Sequence, residues 1–283
     1  MPLSGSAGDD AAVSERVSRL LAGVVAAATV YAGPWRRAHL RLLISERLHQ
    51  RHRVETRYGS LVFVSTHARA LEAPREFFSR EPETLAWIDG FAPGAVFWDI
   101  GANVGVYSLY AGLRGDIEVL AFEPSAPSYA ALCANLAANR LNRVRAYCIA
   151  LADETRLGTL NMSQSYPGSV YNAFEQEVDM TGAALAIERR QPALGISPDD
   201  LIERLAAPAP NHIKLDVDST ETAILRGAAR LLRAPALLSV LVETAAGETA
   251  QNRAIDALLV EAGFRADSSG RGGDVTVNVI YRR

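Results

Sequence analysis

The chain has 283 residues, 49% of them hydrophobic and 22% charged, which is material for one large domain or a domain with a smaller appendage and excludes wholesale disorder. A net charge of -3 and a pI near 6.0 give no global electrostatic reason to bind nucleic acid. The two cysteines, Cys133 and Cys148, lack C-x-x-C spacing and read as two buried thiols in a reducing compartment, not as a disulfide framework or a zinc site.

In chain order, residues 1–15 are small and polar and read as a frayed start. The apolar run Leu20–Gly33 is about 14 residues, too short to span a bilayer. Asp9, Asp10 and Glu15 precede it where a signal peptide would be basic, so a cytoplasmic protein is expected. From Ser18 to about Arg53 the spacing predicts helix, with Trp35, Leu40, Leu43, Ile44 and Leu48 at near-helical intervals and Arg36, Arg37, Arg41, Arg47, Arg51 and Arg53 between them. Over residues 34–57 this basic amphipathic stretch suits an anionic membrane surface or a phosphorylated substrate; the alternative is the solvated face of a packed helix. A short strand at Leu61–Thr66 and a short helix from Pro82, with Leu85, Trp87 and Ile88 on its apolar side, complete the first part. Residues 1–80 thus read as a mostly helical extension with a short strand, ahead of one domain over 81–283.

From Ala95 onward, apolar strands alternate with helices. The expected strands are Val96–Ile100, Glu118–Phe122, Val144–Ala150, His212–Val217 and Leu237–Val242. Helices are expected over Val104–Leu113, from Ser125, over Glu221–Leu232 and over Thr249–Ala262, and Ser197–Asp200 carries the S-x-x-D capping pattern of another. Thr159–Ser163 adds a small hairpin strand. Residues 164–192, with Pro167, Gly168, Gly182 and Pro192, are the least regular and read as an insertion or lid. Phe264–Ala266 and Val275–Tyr281, joined by the turn-rich SSGRGGD, end the chain as an antiparallel pair. This is an α/β pattern: a doubly wound, Rossmann-like parallel sheet with helices on both faces. A terminal hairpin favours its methyltransferase version over its dinucleotide-binding one.

In such sheets ligands bind at the carboxyl ends of the strands, near the switch point. The first domain strand runs into Asp99-Ile100-Gly101-Ala102-Asn103-Val104-Gly105, a G-x-N-x-G loop and not the G-x-G-x-x-G that a pyrophosphate wants. Asp99 suits the ammonium group of a ligand with a free amino-acid end. Glu123, about 20 positions beyond the loop, suits two ribose hydroxyls, a feature nicotinamide enzymes share. Asp153 after the third strand suits an adenine amino group or is a plain turn residue. The fourth strand carries Lys214, Asp216 and Asp218, with Glu221 just beyond. These acids offer either a general base for an acceptor hydroxyl or, with Asp216, Asp218 and Glu243 together, a Mg²⁺ site; salt bridging to Lys214 is the structural alternative. Lys214 is the only lysine in the chain.

The segments VFWDIGANVGVYSLYA, VLAFEPS, ALADE, HIKLDVDSTETAILRGAARLL and VLVE resemble, in order and spacing, the FkbM family of methyltransferases, from roughly Glu81 to the C-terminus. The resemblance implies a class I fold, S-adenosylmethionine as cofactor, and O-methylation of a hydroxyl on a sugar, polysaccharide, glycolipid or natural-product glycoside. It maps Asp99, Gly101, Asn103, Gly105 and Glu123 onto cofactor contacts, and Lys214, Asp216 and Glu221 onto the K-x-D-V-[ED]-G-x-E motif. Where that motif has glycine this chain has Ser219, which is expected to cap the following helix and to narrow the acceptor space.

Asp216 is the preferred base. His212 is a rival that enters its strand from the wrong end, and Tyr107, Tyr110 and Trp98 are candidates to shield a sulfonium by cation–π contact or else to pack the core. The partner expected is a small-molecule or glycan acceptor. Two other readings stand beside this one: a non-catalytic cofactor-binding module, which Ser219 makes conceivable, and a nicotinamide oxidoreductase.

Overall fold

In a computed structural model of the chain, residues 7–48, 50–178, 182–269 and 276–283 are described. The expected frayed start at 1–6 and most of the SSGRGGD turn lie outside them. The chain divides into two compact units, Met1–Gln50 and Arg51–Arg283, so the boundary falls about thirty residues earlier than the 80/81 division expected from sequence.

The first unit is two helices, α1 (Ala7–Ala28) and α2 (Pro34–Leu48). The single helix expected through Arg53 is broken at Thr29–Gly33, because Pro34 has no N–H to continue the α1 ladder and instead starts α2. The Arg37 guanidinium donates to the carbonyls of Thr29, Val30 and Ala32, satisfying the acceptors that the helix end leaves open. No described helix is long and apolar enough to cross a membrane.

The second unit opens with a hairpin, β1 (Gln50–Thr56) and β2 (Gly59–Ser65), so Arg51 and Arg53 lie on a strand and not on the expected helix. A 3₁₀ turn, a one-turn helix α3 (Glu72–Arg75) and α4 (Pro82–Asp89) follow. This entry segment is bound into the domain: Asn135 and Asn139 of a later helix accept from the Val64 and Val62 amides.

The main body runs β3 (Val96–Ile100), α5 (Val106–Leu113), β4 (Glu118–Phe122), α6 (Ala126–Asn139) and β5 (Val144–Tyr147). A side excursion follows through β6 (Ala150–Leu151), β7 (Arg156–Met162), β8 (Asn172–Phe174) and β9 (Arg189–Ile196). The chain then returns through α7 (Pro198–Glu203), β10 (His212–Leu215), α8 (Glu221–Gly227), β11 (Ser239–Ala245), α9 (Ala250–Glu261), β12 (Arg265–Ser269) and β13 (Thr276–Arg282). The seven-stranded sheet has the order β12-β13-β11-β10-β3-β4-β5; its β5, β4, β3, β10 and β11 are mutually parallel, and β13 is antiparallel to β11 and β12. This is the expected doubly wound α/β sheet, with the expected terminal hairpin. Fully buried side chains such as Phe97, Trp98, Leu120, Leu215 and Leu241 fill both faces, which is why these strands read as continuous apolar runs.

The third strand, expected through Ala150, stops at Tyr147, and Ala150–Leu151 joins a separate four-stranded sheet of order β6-β9-β7-β8. The expected irregular insertion is therefore partly sheet. Pro192 sits inside β9 opposite Thr159, whose N–H and C=O both bond Glu175 on the other side, so the missing proline N–H removes nothing from that ladder. Cys133 is half-buried and Cys148 exposed; the latter lies between β5 and β6, where no strand covers it, which corrects the expectation of two buried thiols.

Candidate active site

The strand order reverses between β3 and β10, and the loops that leave these two strands close on each other there. Gly101 has φ +84°, and a Cβ at that position would lie 1.7 Å from the Asp216 carbonyl oxygen, so only glycine admits this approach. A Cβ on Gly105 (φ +94°) would meet Leu132 of α6 at 2.4 Å. The amides of Gly101 and Ala102 donate to the Phe122 carbonyl, that of Gly105 to Ala102, and that of Asn103 to Glu123 at 2.8 Å. Four loop amides are thus already engaged, which leaves little of the amide cradle a pyrophosphate requires.

A cavity of about 180 Å³ opens against this loop. Gly101, Asn103 and Glu123 line one side, Lys214, Asp216, Asp218 and Glu243 another, Gly168–Val170 and Asn172 of the side excursion a third, and residues of the 69–81 segment the rest. Glu123 is buried and holds the loop by accepting from the Asn103 and Ser125 amides; burial pushes its carboxyl up to about 7. The buried Oδ1 atoms of Asn103 and Asn172 have no protein donor. Seven carboxylates line the cavity against three basic side chains. An acceptor-rich, acidic wall fits a cationic ligand carrying several donors, which describes the sulfonium, ammonium and ribose groups of S-adenosylmethionine.

Lys214 is the centre of the opposite wall. Its ammonium lies 2.5 Å from Asp216, 4.0 Å from Glu81 and 4.7 Å from the centroid of the Tyr107 ring. Burial alone would discharge it, but Asp216, Glu81 and Asp99 outweigh burial and keep it protonated. For Asp216 burial works upward, again against the charged form, and Lys214 overcomes it to hold the carboxyl below its ordinary range. The charge of Asp216, then burial, pushes Glu243 up to about 9. Asp216 and Glu243 are thus driven apart, Asp216 towards its charged form by Lys214 and Glu243 towards its neutral form by Asp216.

Glu81 was not anticipated as a site residue. Its carboxylate is set by the Thr84 hydroxyl at 2.9 Å at the start of α4, and it enters the cavity beside Asp216 and Glu243, with ligand atoms of all three within 4.8 Å of one another. The expected Mg²⁺ set of Asp216, Asp218 and Glu243 is not brought together, because Asp218 accepts instead from the Tyr171 and Asn172 amides. A divalent ion is not supported at the trio that does converge, since the Lys214 ammonium already places a cation 2.5 Å from Asp216 and 4.0 Å from Glu81.

Other expected residues are placed elsewhere. Asp99 is buried beneath the loop, bonded by the Ser108 hydroxyl at 2.5 Å, and is not on the cavity wall. Asp153 pairs with Arg156 at 2.7 Å outside the cavity. Glu221 turns inward, accepting from the Val217 and Ser219 amides and from Gln251, and acts on the shape of the 217–219 loop. His212 stacks on Phe91 with its ring 3.8 Å away, and burial pushes it down to about 4, so it is neutral and remote. Of the three aromatics, Tyr107 alone lines the cavity; Tyr110 donates to Asp89 and Trp98 to the Pro208 carbonyl.

Ser219 does not cap α8. Thr220 holds the cap position, the Ser219 hydroxyl is buried without a partner, and its backbone lies at φ +121°, a region that favours glycine. Ser219→Gly is therefore expected to stabilise the protein by about 1 kcal/mol, read as a higher urea midpoint. An unchanged or lower midpoint would show that the serine is not strained.

The family model of the methyltransferase FkbM domain matches residues 99–266, more than half of the chain. A curated relative, the AMB antimetabolite synthetase AmbE of Pseudomonas aeruginosa, is 37% identical over 99 residues, which are 34% of this chain and 4% of that protein. Among solved structures, the precorrin-6Y C5,15-methyltransferase of Geobacter metallireducens is 12% identical with a TM-score of 0.44, covering 71% of this chain and 87% of that one. The magnesium protoporphyrin IX methyltransferase of Synechocystis, solved with S-adenosylmethionine bound, is 12% identical with a TM-score of 0.45, covering 77% and 85%.

Proposed function

The chain belongs to the FkbM methyltransferase domain family, and from that premise we propose that it transfers a methyl group from S-adenosylmethionine to a hydroxyl of a sugar, polysaccharide, glycolipid or natural-product glycoside. The observation that carries this reading is the carboxylate trio Glu81, Asp216 and Glu243 around Lys214, facing the glycine loop across one cavity. Carboxylates grouped this way suit the paired hydroxyls of a glycoside, orienting one of them and accepting its proton.

The cofactor supplies an electrophilic methyl on a sulfonium. Everything else falls to the chain. Glu123 would take the ribose hydroxyls, Gly101 and Gly105 let the loop pass close, and Asn103 offers its free carbonyl oxygen. Tyr107 and the 69–81 segment shape the acceptor side, and Asp216 takes the proton.

Isothermal titration of the full chain with S-adenosylmethionine and, separately, with a nicotinamide dinucleotide tests the donor. Heat only with the second would overturn the reading in favour of an oxidoreductase. Transfer of a labelled methyl to a glycoside fraction separates an enzyme from a binding module. Because Glu123 titrates at about 7 and accepts hydroxyl donors best as a carboxylate, cofactor affinity is expected to rise as pH goes from 6 to 8. Glu123→Gln is expected to weaken binding by roughly tenfold, about one hydrogen bond to a charged group, and to flatten that pH dependence; a variant that keeps the slope would remove Glu123 from the site.

A further inference from the structure

We infer that the helical unit α1–α2 is a docking element for an anionic lipid surface, an inference independent of the methyl-transfer reading. Three observations lead there. First, α2 has no buried residue, and large apolar side chains of both helices and of the turn between them are exposed: Tyr31 is 100% exposed, Trp35 86%, Leu20 69% and Leu48 65%. Second, residues 16–48 carry six arginines and one carboxylate, whereas the chain as a whole carries -3. Asp9, Asp10 and Glu15 precede this stretch in sequence, in the first half of α1. Third, Val30, Tyr31 and Trp35 are all exposed where the two helices meet, and the Arg37 bonds to Thr29, Val30 and Ala32 hold that turn in shape.

Exposed leucine and valine side chains gain by entering the acyl boundary, tyrosine and tryptophan settle at headgroup level, and arginines meet lipid phosphates. The same charge argues against a second copy of this chain as the occupant, because pairing two such units would juxtapose like charges. No helix here crosses the bilayer; the unit lies on it.

The test uses the full chain and sedimentation with vesicles of phosphatidylcholine alone or mixed with phosphatidylglycerol. Binding is expected to the mixed vesicles, to be weakened by high salt, and to be roughly 100-fold weaker in the triple variant Arg36→Gln, Arg41→Gln, Arg47→Gln, at about fivefold per arginine. Because Trp87 and Trp98 are buried and Trp35 is exposed, a blue shift of tryptophan emission on binding reports Trp35, and Trp35→Phe should remove it. With no buried side chain on α2, these substitutions leave the fold intact, which thermal melting verifies. Equal binding to neutral vesicles, or anionic binding unaffected by the triple variant, would overturn the inference. So would self-association without lipid that the same substitutions abolish, since it would make a second copy the occupant.

Discussion

Asp216→Asn is expected to lower kcat by about 10²–10⁴-fold, the contribution of a positioned general base, while leaving the Kd for S-adenosylmethionine within a few-fold. Lys214 favours the charged form of Asp216, and Asp216 in turn favours the neutral form of Glu243, which makes Asp216 the acceptor at the cavity wall. Asparagine keeps the volume and can still accept from Lys214, so the fold should survive, but it cannot take a proton from an acceptor hydroxyl. Single-turnover rates with a labelled donor, read beside titration calorimetry, separate the two effects. Full turnover in the variant would move the base elsewhere, and Glu81, which meets the same ammonium at 4.0 Å, is the next carboxylate to test.

Lys214→Met should have the largest effect on stability. The lysine side chain is only 1% exposed, and its removal leaves the buried Glu81 and Asp99 and the half-buried Asp216 without the ammonium that they share. Breaking a buried pair in this way costs about 3–5 kcal/mol, roughly 10 °C in melting temperature for a domain of this size. The pH dependence has a definite sign. In the intact protein Asp216 is held below its ordinary value, so its contribution is full at neutral pH and is lost as pH falls through the folded value. Without the ammonium the buried acids instead favour their protonated forms, so the penalty shrinks on acidification. The gap between the two melting curves should therefore narrow from pH 7 to pH 5. Equal melting temperatures at pH 7 would mean that the acids are solvated and the lysine is not their counter-charge.

The central sheet was legible in sequence because burial on both faces leaves little choice of side chain. Val96–Ile100 and Glu118–Phe122 coincide with β3 and β4 to the residue, and Ser197 and Thr249 cap α7 and α9 by accepting from the amides three residues on. The hairpin β1–β2 was half missed, since the arginines of Arg51–Thr56 continue the helical charge pattern of α2 and only pairing with β2 makes them a strand. The side sheet was read only in part: Thr159–Ser163 was expected as a hairpin strand and falls largely in β7, but Gly168, Gly182 and Pro192 are breakers locally, and the β7–β9 ladder forms in spite of them. In the site, residues fixed by the β3 loop and β10 were found, because their spacing within one segment decides their position. Glu81 was not, because it reaches the cavity only through the way α4 begins beside β10. Glu221 and Asp99 were named for chemistry, whereas tertiary packing turns both away from the cavity to brace its loops.

The side sheet has one consequence for how such a molecule can change. It leaves the main body at Ala150–Leu151 and comes back at Gly195–Ile196, and these two points pair with each other in parallel. An excursion whose ends already meet places little demand on its own length, since lengthening a closed loop costs only about 0.6 kcal/mol per doubling. Gly168, Ser169, Val170 and Asn172, which wall the cavity, ride on this excursion, whereas the glycine loop and Lys214 belong to the central sheet. Exchanging this excursion would therefore rebuild one wall of the cavity while the strands that carry the glycine loop and Lys214 keep their register.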